Sequence, residues 1–330
     1  MRWMIAIAWC LAACLAKPDE PAVGTVQARH WAQRAGSEPG ALFAPRLTYD
    51  ARRRELLLYG GNEAVSDTAS DKMWKLGATG WVKVCDPCAP GRRVGHGFAY
   101  DPKRGVTVLF GGTDNTTSFE DVWEWDGAAW KKIAAATLPG PRRGVQLVFD
   151  SKRQQLVLIG GEATAGVDAA IYTYDGAFHA VATTGTSPGM LVSYASQATY
   201  EPTADAFVIS LDNDPFGPSP HDDLFALAGT TWARACTACT GEPRVAEALL
   251  YDRGLDTTLV IGGFRGDMQT LAGTWRRTGT TFELIDPGPP ARDTVGIAYD
   301  TDRDVIVIYG GNGTSCGGNC AETWEYLPDY

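Results

Sequence analysis

One phrase recurs six times along the chain. Gln154–Gly161 reads QQLVLIGG, an apolar run of alternating bulk that ends in two glycines. It returns as ELLLYGG ending at Gly61, VTVLFGG at Gly112, TTLVIGG at Gly263 and VIVIYGG at Gly311. A further copy, AFVISLD at Ala206–Asp212, has lost the glycines. The first glycine, or Ser210 in its place, falls at positions 60, 111, 160, 210, 262 and 310, so the spacings are 51, 49, 50, 52 and 48. A short run this apolar reads as a strand covered on both faces. Its return every ~50 residues marks a repeat architecture, in which each unit buries its faces against its neighbours.

The second repeat is the cleanest. Arg93–Tyr100 alternates small and large residues and reads as an inner strand, with small residues where backbones converge. Asp101–Gly105 is a turn, Val106–Phe110 the buried strand, and Gly111-Gly112 its end, where glycine gives unusual dihedrals or a close approach of chains. A polar loop follows, Thr113–Glu120. Then come a strand at Asp121–Trp125, a tight turn at Asp126-Gly127 and an outer strand at Trp130–Ile133. The aromatic columns repeat. Tyr49, Tyr100, Phe149, Tyr200, Tyr251 and Tyr299 mark the inner strand, and Trp74, Trp123, Tyr172, Phe225, Trp275 and Trp324 the third. Trp81, Trp130, Phe178, Trp232 and Phe282 mark the fourth, which has no sixth member because the chain stops just after the last third strand. Trp31 supplies it from the other end. It precedes Tyr49 by 18 residues, as Trp130 precedes Phe149 by 19. An N-terminal strand on the C-terminal hairpin would remove two exposed sheet edges.

The double glycine, the Trp123/Trp130 pair, Asp121 ahead of Trp123 and the Arg93-x-x-His96 opening resemble the kelch-repeat family, and the resemblance runs from Trp31 to the C-terminus. It implies an all-β fold, a six-bladed kelch-type β-propeller closed by the Trp31 strand completing the last blade. The fourth blade departs most, lacking glycines and arginine and carrying the insert Asn213–His221.

The N-terminus has Arg2 before the apolar stretch Met4–Ala13, a secretory signal too short to span a bilayer. Leu11-Ala-Ala-Cys14 resembles the bacterial lipobox, which would make Cys14 the lipidated first residue of the mature chain. The other reading is an ordinary signal cleaved near Ala16. The expected division is thus signal peptide 1–13, lipidated Cys14 and tether 14–30, propeller 31–330. Leu15, not Asp, follows the cysteine, which favours the outer membrane or surface of the bacterial cell envelope. Without lipidation the protein would be secreted. A net charge of −10 argues against nucleic acid as a partner. Six cysteines remain, in the close pairs Cys85/Cys88, Cys236/Cys239 and Cys316/Cys320. In an exported chain such pairs read as disulfides. A CxxC zinc site is the rival, but the first two pairs lie about three repeats apart, on opposite sides of a six-fold ring.

Strand alternation puts the loops after the double glycines on one face with the entries to the inner strands. Those loops are long and varied, whereas the turns at the other end are short and uniform, so function is expected on the long-loop face. Arg93, Arg142, Arg244 and Arg292 sit there, with Leu42 and Ser193 in the other two repeats. As a ring of guanidinium groups they would grip a carboxylate or phosphate. As scaffold they would bond to backbone carbonyls or to Asp121, Asp223 or Glu322. Three positions on, His96 and Glu247 are the two titratable members of their column. They are either an acid/base pair or packed structural residues. Four histidines provide no copper set of the galactose-oxidase kind, no nucleotide or hydrolase motif is present, and no metal or cofactor is expected. Two functions compete. One is a monomeric, lipid-anchored binding module for an envelope protein or glycan. The other is an enzyme on acidic sugars, resembling the sialic-acid mutarotases, with the arginines holding the carboxylate.

Overall fold

Five of the six repeats turn on an aspartate and the fourth on Glu201, and four of the aspartates have arginine three residues later. In the computed structural model Asp50 Oδ1 accepts the backbone N–H of Arg52 at 3.1 Å and of Arg53 at 3.0 Å, and its Oδ2 pairs with Arg53 Nη1 at 2.6 Å. The same ion pair recurs at Asp101/Arg104, Asp150/Arg153 and Asp300/Arg303. The residue that ends each turn (Arg54, Gly105, Gln154, Asp205, Asp256 and Asp304) has φ between 49° and 68°. A short side chain that bonds its own backbone stabilises such a turn locally, so the hairpins are written into the sequence.

The structure describes residues 28–36, 38–135, 137–163, 166–167, 169–188, 197–210, 223–237, 239, 244–265, 267 and 269–329. The signal and lipobox expectations, including Cys14, lie outside these, as do Ser193, Ser196 and the Asn213–His221 insert.

The described chain is all-β apart from one short 3-10 turn, Thr314–Cys316. Six antiparallel sheets follow the repeats. The first holds Arg46–Asp50, Glu55–Tyr59, Met73–Gly77 and Gly80–Cys85, and the second Gly97–Asp101, Val106–Phe110, Val122–Trp125 and Trp130–Ile133. The third to fifth begin at Gln146–Asp150, Ala198–Glu201 and Ala248–Asp252, and a short parallel strand, Thr184–Gly185, edges the fourth. The sixth holds Gly296–Asp300, Val305–Tyr309, Thr323–Pro328 and, paired antiparallel to the last of these, Arg29–Arg34. Trp31 lies opposite Tyr326, with ring centroids 5.0 Å apart, and Gln33 opposite Trp324.

The apolar second strands are buried between sheets. Leu58, Leu109, Leu158 and Ile308 are wholly inaccessible, each contributing roughly 2 kcal/mol. One cluster joins Tyr59 of the first sheet to Phe98 and Trp125 of the second. Others join second to third, third to fourth, fourth to fifth and fifth to sixth. A sixth joins Val307 and Tyr309 of the last sheet to Leu47, Leu58 and Trp74 of the first. The first strand of each sheet likewise lies against those of its two neighbours.

Hydrogen bonds repeat with the sheets. Trp81 Nε1 donates to Thr323 Oγ1 at 2.9 Å, and Trp31 Nε1 to Thr274 Oγ1 at 2.8 Å. In each case a fourth-strand indole reaches the first residue of the preceding sheet's third strand. Trp31 therefore behaves as a member of the Trp81 column. Met73 and Ile171 hold the corresponding place facing Trp130 and Trp232, whose indole N–H groups have no hydrogen-bond partner among the described residues.

The double glycine has two separate jobs. A Cβ on Gly60, Gly262 or Gly310 would lie 2.3–2.6 Å from the carbonyl oxygen of Arg93, Arg292 or Leu42 at the entry to the next sheet. The second glycine donates its N–H to that same oxygen: Gly61 to Arg93 at 3.0 Å, Gly263 to Arg292 at 2.9 Å and Gly311 to Leu42 at 2.9 Å. All six glycines have positive φ. Glycine is required here by backbone conformation and by contact with a neighbouring chain segment.

Beyond the glycines the long connections are folded as hairpins. Asn62–Glu63 pairs with Leu42–Phe43 and Thr68–Ala69, and Asn312–Gly313 with Arg292–Asp293 and Gly318–Asn319. Glu162–Ala163 pairs in the same way with Arg142–Arg143 and Gly166–Val167. Single bridges at Thr113 and Phe264 repeat the pattern in the second and fifth sheets.

Candidate functional site

Three disulfides close short loops: Cys85–Cys88, Cys236–Cys239 and Cys316–Cys320. Their sulfurs are bonded to each other, so none is a thiolate that could hold zinc. Glu322 stands near Cys316 and Cys320, but its carboxylate is taken by Arg292 and by the Trp324 indole.

The arginine column has its own chemistry, and it points inward. Arg93, Arg142, Arg244 and Arg292 are each 1–3% exposed. Arg93 Nη2 meets both oxygens of Asp121, at 3.0 and 3.1 Å, and its guanidinium carbon lies 3.5 Å from the Phe119 ring centroid. Arg142 Nη1 donates to Gly160 O at 3.1 Å, Nη2 donates to Pro139 O at 2.6 Å, and the group rests over Tyr172. Arg244 Nη1 donates to Gly262 O at 3.0 Å, over Trp275. Arg292 Nη2 donates to Glu322 at 2.6 Å and Nε to Pro290 O at 2.9 Å, over Trp324.

Asp121 and Glu322 each also accept an indole N–H, from Trp123 at 2.8 Å and Trp324 at 3.0 Å. This explains the acid two residues before the third-strand tryptophan. Burial lowers the Arg93 and Arg292 pKa values despite the carboxylate beside each. The expectation of four guanidinium groups converging on a ligand is corrected by this geometry. Each guanidinium is held within its own sheet by at least one hydrogen bond to a carbonyl or carboxylate, and none of the four lines the cavity described next.

That cavity, about 560 Å³, runs along the first strands of all six sheets. One end is lined by Arg46, His96, Gln146 and Gln197, all buried. The other is lined by exposed turn residues, among them Ala51, Pro102, Ser151, Pro202, Arg253 and Thr301. It therefore opens at the short-turn end, whereas the sequence pointed to the long-loop face. Its volume falls in the usual range of small-molecule sites.

His96 and Glu247 are not assembled as an acid/base pair. His96 is wholly buried and packed edge-on against Tyr59 and Phe98, at centroid distances of 5.5 and 6.0 Å. Burial first, then the charges of Arg46 and Arg93, hold its pKa well below the ordinary histidine value, so the ring is neutral. Glu247, 3% exposed, does not line the cavity that His96 lines.

Sequence reasoning missed Arg46. It sits four residues beyond Leu42, and the same column holds Gly97, Gln146, Gln197, Ala248 and Gly296. A lone cation in a column of small and amide side chains was the available signal. Set against known proteins, the chain matches no protein-family model and no curated protein.

Proposed function

We propose that the chain is an exported, lipid-anchored, six-bladed kelch-type propeller that works as a binding module for a protein or glycan of the cell envelope. Three features support the ring: six interfacial clusters that include one between the last and first sheets, the Arg29–Arg34 strand on Thr323–Pro328, and Trp31 in the Trp81 column. Kelch identity rests on the double glycines and the Arg/acid/Trp triads.

One observation carries the binding role: at one end the long connections that follow the double glycines are, among the described residues, folded as hairpins of a common plan with unlike tips. Val65 at one tip is fully exposed. Divergent tips on rigid, hydrogen-bonded stems present a preorganised surface, which lowers the ordering cost of association. An acidic-sugar enzyme would need the arginine column facing solvent. Instead its guanidinium groups stack on aromatic rings inside the sheets, which favours the binding module.

The test is an envelope-glycan and envelope-protein binding screen with the exported chain, repeated with Val65→Asp and Asn115→Asp tip variants. Saturable binding lost in the tip variants, with thermal stability kept, supports the reading. Binding that ignores the tips, or anomer interconversion of an acidic sugar followed by NMR, overturns it. A Cys14→Ser variant tests the anchor, which predicts its release from the membrane fraction.

A further inference from the structure

The fold engages the four arginines of the repeat column but leaves a fifth, Arg46, with one edge free. Arg46 is 8% exposed at the inner end of the central cavity. Burial lowers its pKa to about 10, still far above physiological pH, so it is a cation. Its Nη1 reaches Gln146 Oε1 at a long 3.4 Å. Its Nε and Nη2 have no hydrogen-bond partner among the described residues. Those two nitrogens share one edge of the guanidinium, the edge that holds a carboxylate through two parallel N–H···O bonds.

A buried cation without a counter-charge is costly, and a fold that keeps one invites an anion. The surroundings agree. Both ring nitrogens of His96 and the Nε2 of Gln146 are also unpartnered, and both residues line the same cavity. Beyond this polar end the walls are Phe98, Leu147, Leu249 and Ile297. The site thus offers a charged head, an apolar barrel and an exit among exposed turns.

We propose that the cavity binds a small organic acid, its carboxylate on the Nε/Nη2 edge of Arg46 and its hydrocarbon body between Phe98, Leu147, Leu249 and Ile297. The inference stands on the cavity alone and is independent of the hairpin surface, so either reading can fail without the other.

Hexanoate, hexanol and inorganic phosphate serve as probes, titrated calorimetrically into the exported chain. The expected result is saturable single-site binding of hexanoate, at least 10-fold weaker binding of hexanol and none of phosphate. Arg46→Met should weaken hexanoate on the order of 100-fold, the loss of two charge-assisted hydrogen bonds. Hexanoate binding equally well to wild type and Arg46→Met overturns the proposal, as does no binding, or binding of phosphate in preference to hexanoate. A readout that needs no variant is the arginine side-chain Nε–H spectrum of the wild type. Hexanoate should move one buried arginine resonance, and a spectrum unchanged at saturating hexanoate overturns the assignment.

Discussion

Gly262→Ala and Gly279→Ala form a matched pair that separates two reasons for a glycine at positive φ. Both residues have nearly the same positive φ, 66° and 67°. An alanine at Gly279 would meet nothing within 4 Å, so its cost is the left-handed backbone alone, about 1 kcal/mol. At Gly262 the new Cβ would sit 2.3 Å from Arg292 O in the next sheet. Restoring an ordinary contact moves the chains apart by about 1 Å. That stretches the bond from Gly263 N–H to Arg292 O, now 2.9 Å, and the one from Arg292 N–H to Leu271 O, now 3.1 Å.

Two weakened, buried backbone hydrogen bonds add roughly 1–1.5 kcal/mol each. The sum at Gly262 is then about 3–4 kcal/mol, against about 1 at Gly279. For a chain of this size each kcal/mol moves Tm by roughly 2–3 °C. Thermal melts followed by circular dichroism should show Gly279→Ala about 2–3 °C below wild type and Gly262→Ala about 8–10 °C below it. If the two variants melt within a degree of each other, the double glycine is kept for backbone conformation alone, and the sheet-to-sheet contact has been misjudged.

Other consequences are open to measurement. His96 is neutral in the folded protein because burial, Arg46 and Arg93 depress its pKa, whereas the unfolded chain takes up a proton below about pH 6.5. Stability should therefore fall with pH below that point, by about 1.4 kcal/mol per unit from this group, and His96→Phe should flatten the limb in urea titrations. Glu322 titrates at lower pH. Burial raises its pKa, but hydrogen bonds from Trp324 and Arg292 outweigh this and bring it below the usual value. Its stabilisation is present above about pH 4.5 and lost as pH falls through the lowered pKa, so Glu322→Gln should show a shallower acid limb than wild type. Thr274→Val would orphan the Trp31 indole and should cost about 1–2 kcal/mol, measured by denaturant midpoint; an unchanged midpoint would mean that water replaces the bond. Each disulfide closes a loop of three or four residues, so reduction should lower stability by only about 2 kcal/mol per bond.

Much of the fold was written locally. The acid-to-arginine turns, present in four repeats, and the apolar second strands and aromatic columns, present in all six, each follow from residues a few positions apart. The pairing of Arg29–Arg34 with Thr323–Pro328 spans nearly the whole chain, yet the missing sixth member of the fourth-strand column announced it. The cysteine pairs were legible for the same reason, being three or four residues apart.

Sequence alone determined which column each side chain belongs to. It did not determine which way a column turns. Arg93, Arg142, Arg244 and Arg292 stand at the entries to their sheets, where a guanidinium can reach solvent or fold back onto a ring. The rings of Phe119, Tyr172, Trp275 and Trp324, with Asp121, Glu322 and nearby carbonyls, decided for the interior. Only the tertiary structure brought Arg46, His96 and Gln146 into one cavity. They lie 50 residues apart in turn, each is unremarkable in its own strand, and a lone buried charge becomes visible only when its surroundings are in place.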